Sequence, residues 1–290
     1  MHLIKAERKR VKIKLGLQGT SGSGKTMSSL LLAFGLCSDW SKVVVVDTEN
    51  HSAELYSQLG NYNVLNLTSP FTPELYIDAI HHCEKAGMEV IILDSLTHEW
   101  EYLLDYHTNI PGNSFTAWGK VTPRHNSFIQ ALLQSPVHII STIRTKSDYV
   151  LTDKNGKMVP EKVGLKSIQR DGLDYEMTIM FFLDVKNNAV ASKDRTGLFS
   201  GKPEHKISSD TGKKILEWCN VGNPINVDDV SQRINHTATI NELLALYKMY
   251  PQFKEVLKPE YEHRKRQLLI NQEVQTSLSH HQQIHSNGTE

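Results

Sequence analysis

One eight-residue stretch near the N-terminus constrains this chain more than any other feature of its sequence. Residues 19–26 read GTSGSGKT, which fits the pattern GxxxxGK[ST], and they separate a strand-like stretch at Val11–Leu17 from a helix-length stretch at Thr26–Cys37. In that strand–loop–helix setting, glycines let backbone N–H groups turn inward around phosphate oxygens, and the helix N-terminus adds its positive dipole end. The sequence therefore predicts that a nucleoside triphosphate binds at this loop.

The residue types in this stretch predict separate roles around the phosphates. We expect Lys25 to reach the β and γ phosphates, and we expect the Thr26 hydroxyl to be a Mg²⁺ ligand. Asp94 ends an apolar run at Val90–Leu93, so its carboxylate is predicted to lie beside the same ion. ATP and Mg²⁺ are the expected cofactors, and the predicted nucleotide-binding residues are Gly19, Thr20, Ser21, Gly22, Ser23, Gly24, Lys25, Thr26 and Met27.

A hydrolysing enzyme also needs a residue that orients the attacking water. Ser95 follows Asp94, so a glutamate directly after the metal-binding aspartate does not supply this group. Glu49 follows the run Val43–Asp47, which ends at the same carboxyl edge of the predicted sheet where such folds bind ligands. We predict that Glu49 is the general base. Glu99 and Glu101 are the rival candidates, and both are expected to face solvent from a helix.

The order of apolar and amphipathic stretches predicts an α/β fold. Three short apolar runs, Val43–Val46, Val90–Leu93 and Val137–Ile140, are typical of strands buried on both faces. Helix-length stretches between them predict a mostly parallel twisted sheet with helices on both faces. The predicted helices after the first are Pro73–Ala86, Leu96–His107 and Pro123–Gln134, with each proline in a first helical turn.

Composition shifts predict the domain boundaries. After residues 223 and 224, which read Asn-Pro, two helical stretches predict a small helical C-terminal appendage at residues 223–271, beyond an ATPase core at 1–222. Residues 272–290 are rich in Ser, His, Gln and Asn, and they are predicted to form a disordered tail.

Charge and cysteine usage narrow the class of protein further. Lys plus Arg and Asp plus Glu are 32 each, so a nucleic-acid site has to be local rather than a property of the whole surface. The three cysteines form no CxxC pair, and no apolar run reaches membrane-spanning length. We therefore expect a soluble cytoplasmic protein with no membrane association.

The ordered motifs of the chain resemble those of the RecA-type ATPases. The shared stretches are Asp47-Thr48-Glu49, Asp94-Ser95, Thr142-Ile143-Arg144-Thr145-Lys146 and Lys193-Asp194-Arg195-Thr196-Gly197. The resemblance covers about residues 11–199 and implies a RecA-like P-loop NTPase fold. It implies that Glu49 is the base, that Thr142 senses the phosphate, and that Lys193 and Arg195 reach the ATP of a neighbouring subunit. Ring or filament assembly follows from that last implication.

Within this superfamily the chain is most similar to the short RecA-like ATPases of phages and mobile elements that serve single-strand annealing and recombination. The polar loop between residues 144 and 170 contains seven basic residues and three acidic ones. RecA-type proteins hold single-stranded DNA at the corresponding loop. A solvated surface hairpin is the alternative for this loop. The candidate DNA-binding residues are Lys146, Lys154, Lys157, Lys162, Lys166 and Arg170.

Two aromatic residues, Phe115 and Trp118, lie near Lys120 in a predicted loop at Gly112–Lys120. They are candidates for stacking on bases, with packing against the core as the alternative.

The resemblance implies an Mg²⁺-dependent ATPase that acts on single-stranded DNA in phage-type recombination, annealing or replication, in a bacterial host cell, beside other recombination or replication proteins. Two alternatives stay open. One is a nucleotide-controlled loader whose C-terminal helices bind a protein partner, and the other is a small-molecule P-loop kinase.

Overall fold

The computed structural model describes residue 6 and residues 8–154, 157–223 and 225–286, and side chains at 148–163 and 271–286 lie outside that description. The described residues divide into two compact units, one formed by residues 11–221 and the other by residues 222–290 together with the N-terminal residues through Arg10.

The larger unit is built on one twisted, mostly parallel sheet. Its strands follow the order β3-β2-β4-β5-β1-β7-β8-β9, and β6 pairs with the outer part of β5. The strands from β3 to β7 in this order are parallel, whereas β8, β9 and β6 are antiparallel to their neighbours. The bounds are β1 Lys14–Gly19, β2 Val43–Asp47, β3 Asn63–Asn66, β4 Val90–Asp94, β5 His138–Lys154, β6 Lys157–Ser167, β7 Ile179–Leu183, β8 Asn188–Asp194 and β9 His205–Lys206.

Six α-helices belong to the described part of this unit. Their bounds are α1 Lys25–Cys37, α2 Pro73–Lys85, α3 Thr97–Thr108, α4 Ser114–Gln134, α5 Leu173–Glu176 and α6 Ser209–Asn220, with short 3₁₀ helices at Trp40–Lys42 and Ser52–Leu59. The predicted α/β class and mostly parallel sheet are confirmed.

The central strands are apolar at successive positions because both faces of the sheet are buried. Val43 and Val45 of β2 pack into one apolar cluster with α1, whereas Val44 and Val46 pack into a second cluster with α2 and α4. Alternate residues of a strand point to opposite faces, so an uninterrupted valine run satisfies two cores at once.

Glycines allow α1 and α6 to pack closely on one face of this sheet. A Cβ built at Gly35 would lie 2.1 Å from the Ser209 carbonyl oxygen, and one at Gly212 would lie 2.4 Å from the Leu32 carbonyl oxygen. Because each neighbour is backbone, a side chain at either position requires the helices to separate.

The prediction that Pro123 starts a helix is wrong, since α4 begins nine residues earlier and Pro123 lies inside it. Asn113 caps the helix by accepting the N–H of Phe115 at 2.9 Å. The buried residues Ala117, Val121, His125, Phe128 and Leu132 form one face across the proline. Continuous burial of that face stabilises the helix despite the N–H that proline lacks.

Two further elements differ from the sequence-based expectation. The sequence at Tyr175–Leu183 favours a single strand, but β7 begins only at Ile179. Residues Leu173–Glu176 form the short helix α5 after Gly172, whose φ of +101° suits glycine. Strand β3 was not predicted; its residues are only partly buried at the sheet edge, so no apolar run marks it.

The smaller unit is helical and has its own apolar core. Its helices are α7 Val227–His236, α8 Ile240–Met249 and α9 Lys254–Ser286, with a 3₁₀ helix at Pro251–Phe253. Leu243 and Leu246 are buried in this core, whereas Leu244 between them is exposed. Within this unit the Lys9 ammonium lies 2.9 Å from the Asp229 carboxylate.

Helix α9 reaches residue 286, so the backbone is helical over residues 272–286, where the sequence favoured a disordered tail. Gln, Glu and Leu in this stretch have high helix propensity, which composition read only for apolar content does not reveal. Among the described residues, every helix is too short or too polar to cross a membrane.

Candidate functional site

The loop after β1 forms an anion-binding turn at the N-terminus of α1. Gly22 and Gly24 have φ angles of +80° and +78°, which side chains other than glycine rarely adopt. Gly24 is the N-cap of α1 and has no side-chain acceptor, so it leaves the first N–H groups of the helix for an external oxygen. Ser23 is buried in the loop, and its hydroxyl has no hydrogen-bond partner among the described residues.

Lys25, Thr26 and Met27 form the first turn of α1. The Lys25 ammonium donates to the carbonyl oxygens of Gly19 and Thr20 at 3.0 and 2.9 Å. Burial lowers the pKa of Lys25, while the nearby carboxylates of Asp94 and Glu49 oppose that shift. The amine is therefore held at the phosphate loop by two of the loop's own carbonyl oxygens.

Asp94 joins three elements at the carboxyl edge of the sheet. Its Oδ2 accepts the Thr26 hydroxyl at 2.6 Å, and its Oδ1 accepts the hydroxyl of Thr142 on β5. Asp94 is only 2% exposed. Burial raises the pKa of Asp94, and the two hydroxyl donors oppose this increase. The sequence-predicted residues Thr26, Asp94 and Thr142 are thus brought into direct contact.

The oxygen ligands at this position fit Mg²⁺. Mg²⁺ is bound in proteins by one or two oxygen ligands together with substrate phosphates, so Thr26 and Asp94 suffice from the protein side. The Glu49 and Asp47 carboxylates add negative potential at Asp94. No group of three or more His, Cys, Asp or Glu side chains in the described part of the chain is arranged to hold a metal alone.

Glu49 is presented by a turn at the end of β2. The Asp47 carboxylate accepts the N–H of Ala53 at 2.8 Å and that of Glu49, which fixes the course of the turn. Ser95 donates its hydroxyl to Glu49 Oε1 at 2.9 Å, and the Arg144 guanidinium donates to Oε2. Burial alone would raise the pKa of Glu49, but the Arg144 and Ser95 donors lower it below its usual range.

Thr48 connects the ends of β2 and β4, a role the sequence did not reveal. Its hydroxyl accepts the N–H of Ser95 at 3.0 Å, and its own N–H donates to the Asp94 carbonyl oxygen at 2.8 Å. His98 Nδ1 lies 2.8 Å from the same hydroxyl, and the His98 ring stacks on Phe71. The sequence feature that could have indicated this contact is the polar residue directly after each strand-ending aspartate, Thr48 after Asp47 and Ser95 after Asp94.

The rival base Glu99 does not face solvent as predicted. It is fully buried and lies 3.1 Å from Nδ1 of His125 on α4. Burial raises the pKa of Glu99, and His125 opposes the shift. Packing of α3 on α4 buries this side chain, and no local pattern in the sequence indicates that contact. Glu101 is exposed, as expected.

The polar loop after the Thr142 strand is a long antiparallel hairpin. β5 continues beyond the sheet and pairs with β6 from Thr145–Ser167 outward to Lys154–Lys157. Lys146 and Lys166 are exposed on this hairpin, and Lys166 lies 3.0 Å from the Asp171 carboxylate. The Arg170 guanidinium lies 3.4 Å from the Asn126 side-chain oxygen. The side chains of Lys154, Lys157 and Lys162 lie outside the described residues.

The base of the hairpin is bonded to the loops of the nucleotide site. The Ser167 hydroxyl donates to the side-chain oxygen of Gln18, which directly precedes Gly19, at 2.5 Å. The buried Gln169 amide donates to the Leu96 carbonyl oxygen at 3.1 Å, close after Asp94. Hairpin and site therefore meet through direct hydrogen bonds.

Lys193 and Arg195 lie at the end of β8 and just beyond it. The Lys193 ammonium donates to the Asp174 carbonyl oxygen at 2.6 Å, and the Arg195 guanidinium donates to the Tyr175 carbonyl oxygen at 2.6 Å. In the sheet, β8 pairs with β7, and β7 lies between β8 and β1. Within the described residues, neither side chain hydrogen-bonds to the phosphate loop of its own chain.

The aromatic pair predicted in a loop instead lies on the first turns of α4. Phe115 is 84% exposed. Trp118 is half-buried between His107 and Trp100, with ring centroids 4.2 and 6.0 Å away. Trp118 therefore packs against neighbouring rings, whereas the Phe115 side chain remains exposed.

The turn between β7 and β8 adds Asn187, which the sequence did not indicate. Asn187 has a φ of +64°, and its side-chain nitrogen lies 3.5 Å from the Gly22 carbonyl oxygen. A Cβ at Gly24 would lie 2.8 Å from that nitrogen. The turn therefore packs against the phosphate loop.

Comparison with known proteins agrees with this geometry. A family described as an AAA domain matches residues 11–207. The DNA repair and recombination protein RadB of Methanococcoides burtonii is 32% identical over 96 residues, which cover 30% of this chain and 43% of that protein. The chain thus matches less than half the length of this relative.

The family match spans more than half of the chain and includes the phosphate loop, Asp94 and the whole parallel sheet. We conclude that the chain belongs to the AAA-domain family of ATPases and has a RecA-like P-loop NTPase fold.

Proposed function

We propose that the chain is an Mg²⁺-dependent ATPase that acts on single-stranded DNA in recombination or annealing of the phage type. The observation that carries the proposal is the convergence of Lys25, Thr26, Asp94, Thr142 and Glu49 at one edge of the sheet. Mg²⁺ bound at Thr26 and Asp94 would neutralise the charge that develops on the phosphates.

The remaining groups supply hydrolysis. A water oxygen forms a bond to the γ phosphorus, the bond to the bridging oxygen of ADP breaks, and Glu49 takes the proton of the water. Lys25 binds the β and γ phosphates. The Thr142 hydroxyl, which donates to Asp94, would sense the γ phosphate by turning from Asp94 to a phosphate oxygen. The Asp47 carboxylate accepts two backbone N–H groups of the turn that carries Glu49, which supports a defined position for the base.

The hairpin supports single-stranded DNA as the stimulating ligand. Lys146 and Lys166 are exposed on it, its last residue hydrogen-bonds to Gln18 just before the phosphate loop, and Gln169, two residues later, hydrogen-bonds to Leu96 just after Asp94. The proposed DNA contacts are Lys146, Lys154, Lys157, Lys162, Lys166 and Arg170. A relative named for DNA repair and recombination adds independent support.

Steady-state ATP hydrolysis with and without single-stranded DNA, at low and high salt, tests this proposal. We expect stimulation that declines with salt, because lysine–phosphate contacts release counterions. Lys25→Ala is the control and should remove hydrolysis under every condition. Hydrolysis that ignores DNA would instead favour a protein-partner loader, and phosphate transfer to an added metabolite would favour a kinase.

We further propose that Lys193 and Arg195 complete the ATP site of a neighbouring subunit in a ring or filament. Mixing Arg195→Ala with Lys25→Ala tests this role, since each variant is inactive alone. In a mixed assembly about a quarter of the interfaces would combine an intact phosphate loop with an intact Arg195, so activity should return to roughly that fraction. Mixtures that stay inactive would contradict the role between subunits.

A further inference from the structure

The Gln18 carboxamide is hydrogen-bonded to two serines from different strands. Its oxygen accepts the hydroxyl of Ser167, the last residue of β6, at 2.5 Å, and its nitrogen donates to the hydroxyl of Ser192 on β8 at 3.2 Å. Gln18 itself lies on β1, and β7 separates β1 from β8, so this side chain reaches across a whole strand. Among the described residues, both partners of the carboxamide thus lie outside the phosphate loop that begins at Gly19.

Ser192 is the extra residue of a β-bulge. The register between β7 and β8 shifts after Met180, which pairs with Lys193, and the shift leaves Ser192 out of the pairing. A bulge redirects a side chain and is common beside functional sites. The Ser192 hydroxyl donates to the Met180 carbonyl oxygen at 3.3 Å, which leaves its lone pairs to accept the Gln18 N–H group.

The bulge lies directly before the two cations of the proposed contact between subunits, Lys193 and Arg195. Each of them donates to a backbone carbonyl oxygen of α5 at 2.6 Å, and the Arg195 N–H donates to the Thr178 carbonyl oxygen at 3.0 Å. A cation that stabilises transition-state charge has to be placed accurately, because a misplacement of about 1 Å can cost a hundredfold in rate. The course of β8 at Ser192 therefore matters for both cations.

We propose that Gln18 is a positioning residue that acts through the bulge at Ser192 and sets the position of Lys193 and Arg195 at the ATP site of the neighbouring subunit. This inference rests on the proposed function, since it requires both cations to act between subunits. Ser167 fixes the oxygen of the carboxamide and thereby aims its nitrogen at Ser192. The Gln18 backbone leads into the phosphate loop of its own chain, whereas its side chain serves the site of the neighbour.

Gln18→Leu removes both hydrogen bonds and keeps a side chain of similar size. An assembly of this variant alone should hydrolyse ATP roughly tenfold more slowly with an unchanged KM, because the cations stabilise the transition state rather than the bound nucleotide. A tenfold change corresponds to about 1.4 kcal/mol. Equilibrium binding of a fluorescent ATP analogue should stay at the wild-type affinity, and weaker binding with an unchanged kcat would contradict the proposal.

Gln134→Leu is the matched control. Gln134 is exposed on α4, and its side-chain nitrogen donates to the Gln130 side-chain oxygen at 3.2 Å within the same helix. This variant should keep the wild-type rate and KM. A slowing as large as that of Gln18→Leu would show that the rate responds to any loss of a glutamine side chain.

Mixed assemblies decide which site Gln18 serves. The parent mixture combines Lys25→Ala, which supplies the cations, with Arg195→Ala, which supplies the phosphate loop. Gln18→Leu is then added to one of the two chains at a time. On the Lys25→Ala chain it should lower the restored activity roughly tenfold, and on the Arg195→Ala chain it should leave that activity at the level of the parent mixture.

Three results would overturn the inference while the proposed function stands. An equal loss in both mixtures would show a general effect on the fold, and a loss confined to the Arg195→Ala chain would show that Gln18 serves its own phosphate loop. No loss in either mixture would show that the carboxamide has no role in hydrolysis. A parent mixture that stays inactive instead refutes the proposed contact between subunits, and this inference with it.

Ser192→Ala on the Lys25→Ala chain checks the route through the bulge. It removes the acceptor of the Gln18 N–H group and leaves the carboxamide oxygen bonded to Ser167. The restored activity should fall several-fold. Activity that stays at the level of the parent mixture would show that Gln18 does not act through Ser192.

Discussion

The hydroxyl of Thr142 is expected to stabilise the fold through Asp94, which Thr142→Val tests. Valine has nearly the same shape as threonine but lacks the hydroxyl that donates to Asp94 Oδ1. Asp94 is 2% exposed, and among the described residues it keeps only the Thr26 hydroxyl as a side-chain donor after this change. The substitution therefore removes one charged hydrogen bond without opening a cavity.

The magnitude follows from the burial of both partners. Thr142 is fully buried, so water cannot replace its hydroxyl at the carboxylate. A hydrogen bond to a charged group contributes about 1.5–3 kcal/mol, and we expect Thr142→Val to lower the unfolding free energy of the larger unit by about that amount. With an m-value of about 2–3 kcal/mol/M in urea, the midpoint should fall by roughly 1 M.

The neighbouring residue provides a matched control. Ser141 is also fully buried on β5, but its hydroxyl has no hydrogen-bond partner among the described residues. Ser141→Ala should therefore change the unfolding free energy little or raise it. Tryptophan fluorescence in urea suits the assay, because all four tryptophans lie within residues 11–221: Trp40, Trp100, Trp118 and Trp218.

Equal effects of the two variants would refute this reasoning. If Thr142→Val unfolds at the same urea midpoint as the wild type, the Thr142–Asp94 hydrogen bond does not stabilise the fold. If Ser141→Ala lowers the midpoint as much as Thr142→Val does, both effects are due to packing.

Two further predictions concern the same unit. Gly35→Ala should destabilise it by about 1–3 kcal/mol in the same urea assay, because the added Cβ would meet the backbone of α6. The control is Gly119→Ala on α4, whose added Cβ meets nothing within 4 Å and which should stabilise the unit by about 0.5–1 kcal/mol. The reverse order of the two effects would contradict close packing of α1 and α6. Burial lowers the pKa of Lys14 to about 7, so the unfolded chain binds more protons between pH 7 and about 10.5 and the unfolding free energy should rise with pH across that window. Lys14→Met should remove that rise in a pH series of urea midpoints, and a retained rise would mean that another group causes it.

Local motifs allowed much of the site to be predicted. The turn at Gly22–Gly24 and the position of Lys25 follow from a single strand–loop–helix unit, in which every residue lies close in sequence to the next. Asp94 was predictable because a strand buried on both faces is apolar until its last residue.

Contacts between distant segments were not predictable. Glu99 was expected in solvent because the helical pattern of α3 says nothing about His125, which lies 26 residues further on. The pairing of Glu49 with Arg144 joins residues 95 positions apart, and it depends on the strand order β2-β4-β5 in the sheet. Pro123 was placed wrongly because a local proline rule competes with a buried face that runs from Ala117 to Leu132, about four helical turns.

By itself, the sequence determined that a phosphate-binding loop opens a parallel α/β sheet, because glycines at fixed spacing and continuous apolar runs report backbone geometry and burial directly. Only the tertiary structure decided which groups meet at the carboxyl edge: the Thr142 and Thr26 hydroxyls on Asp94, Arg144 and Ser95 on Glu49, and the hairpin on Gln18 and Leu96. Strand order brings these side chains within hydrogen-bonding distance, and strand order is a property of the folded sheet rather than of any segment of the chain.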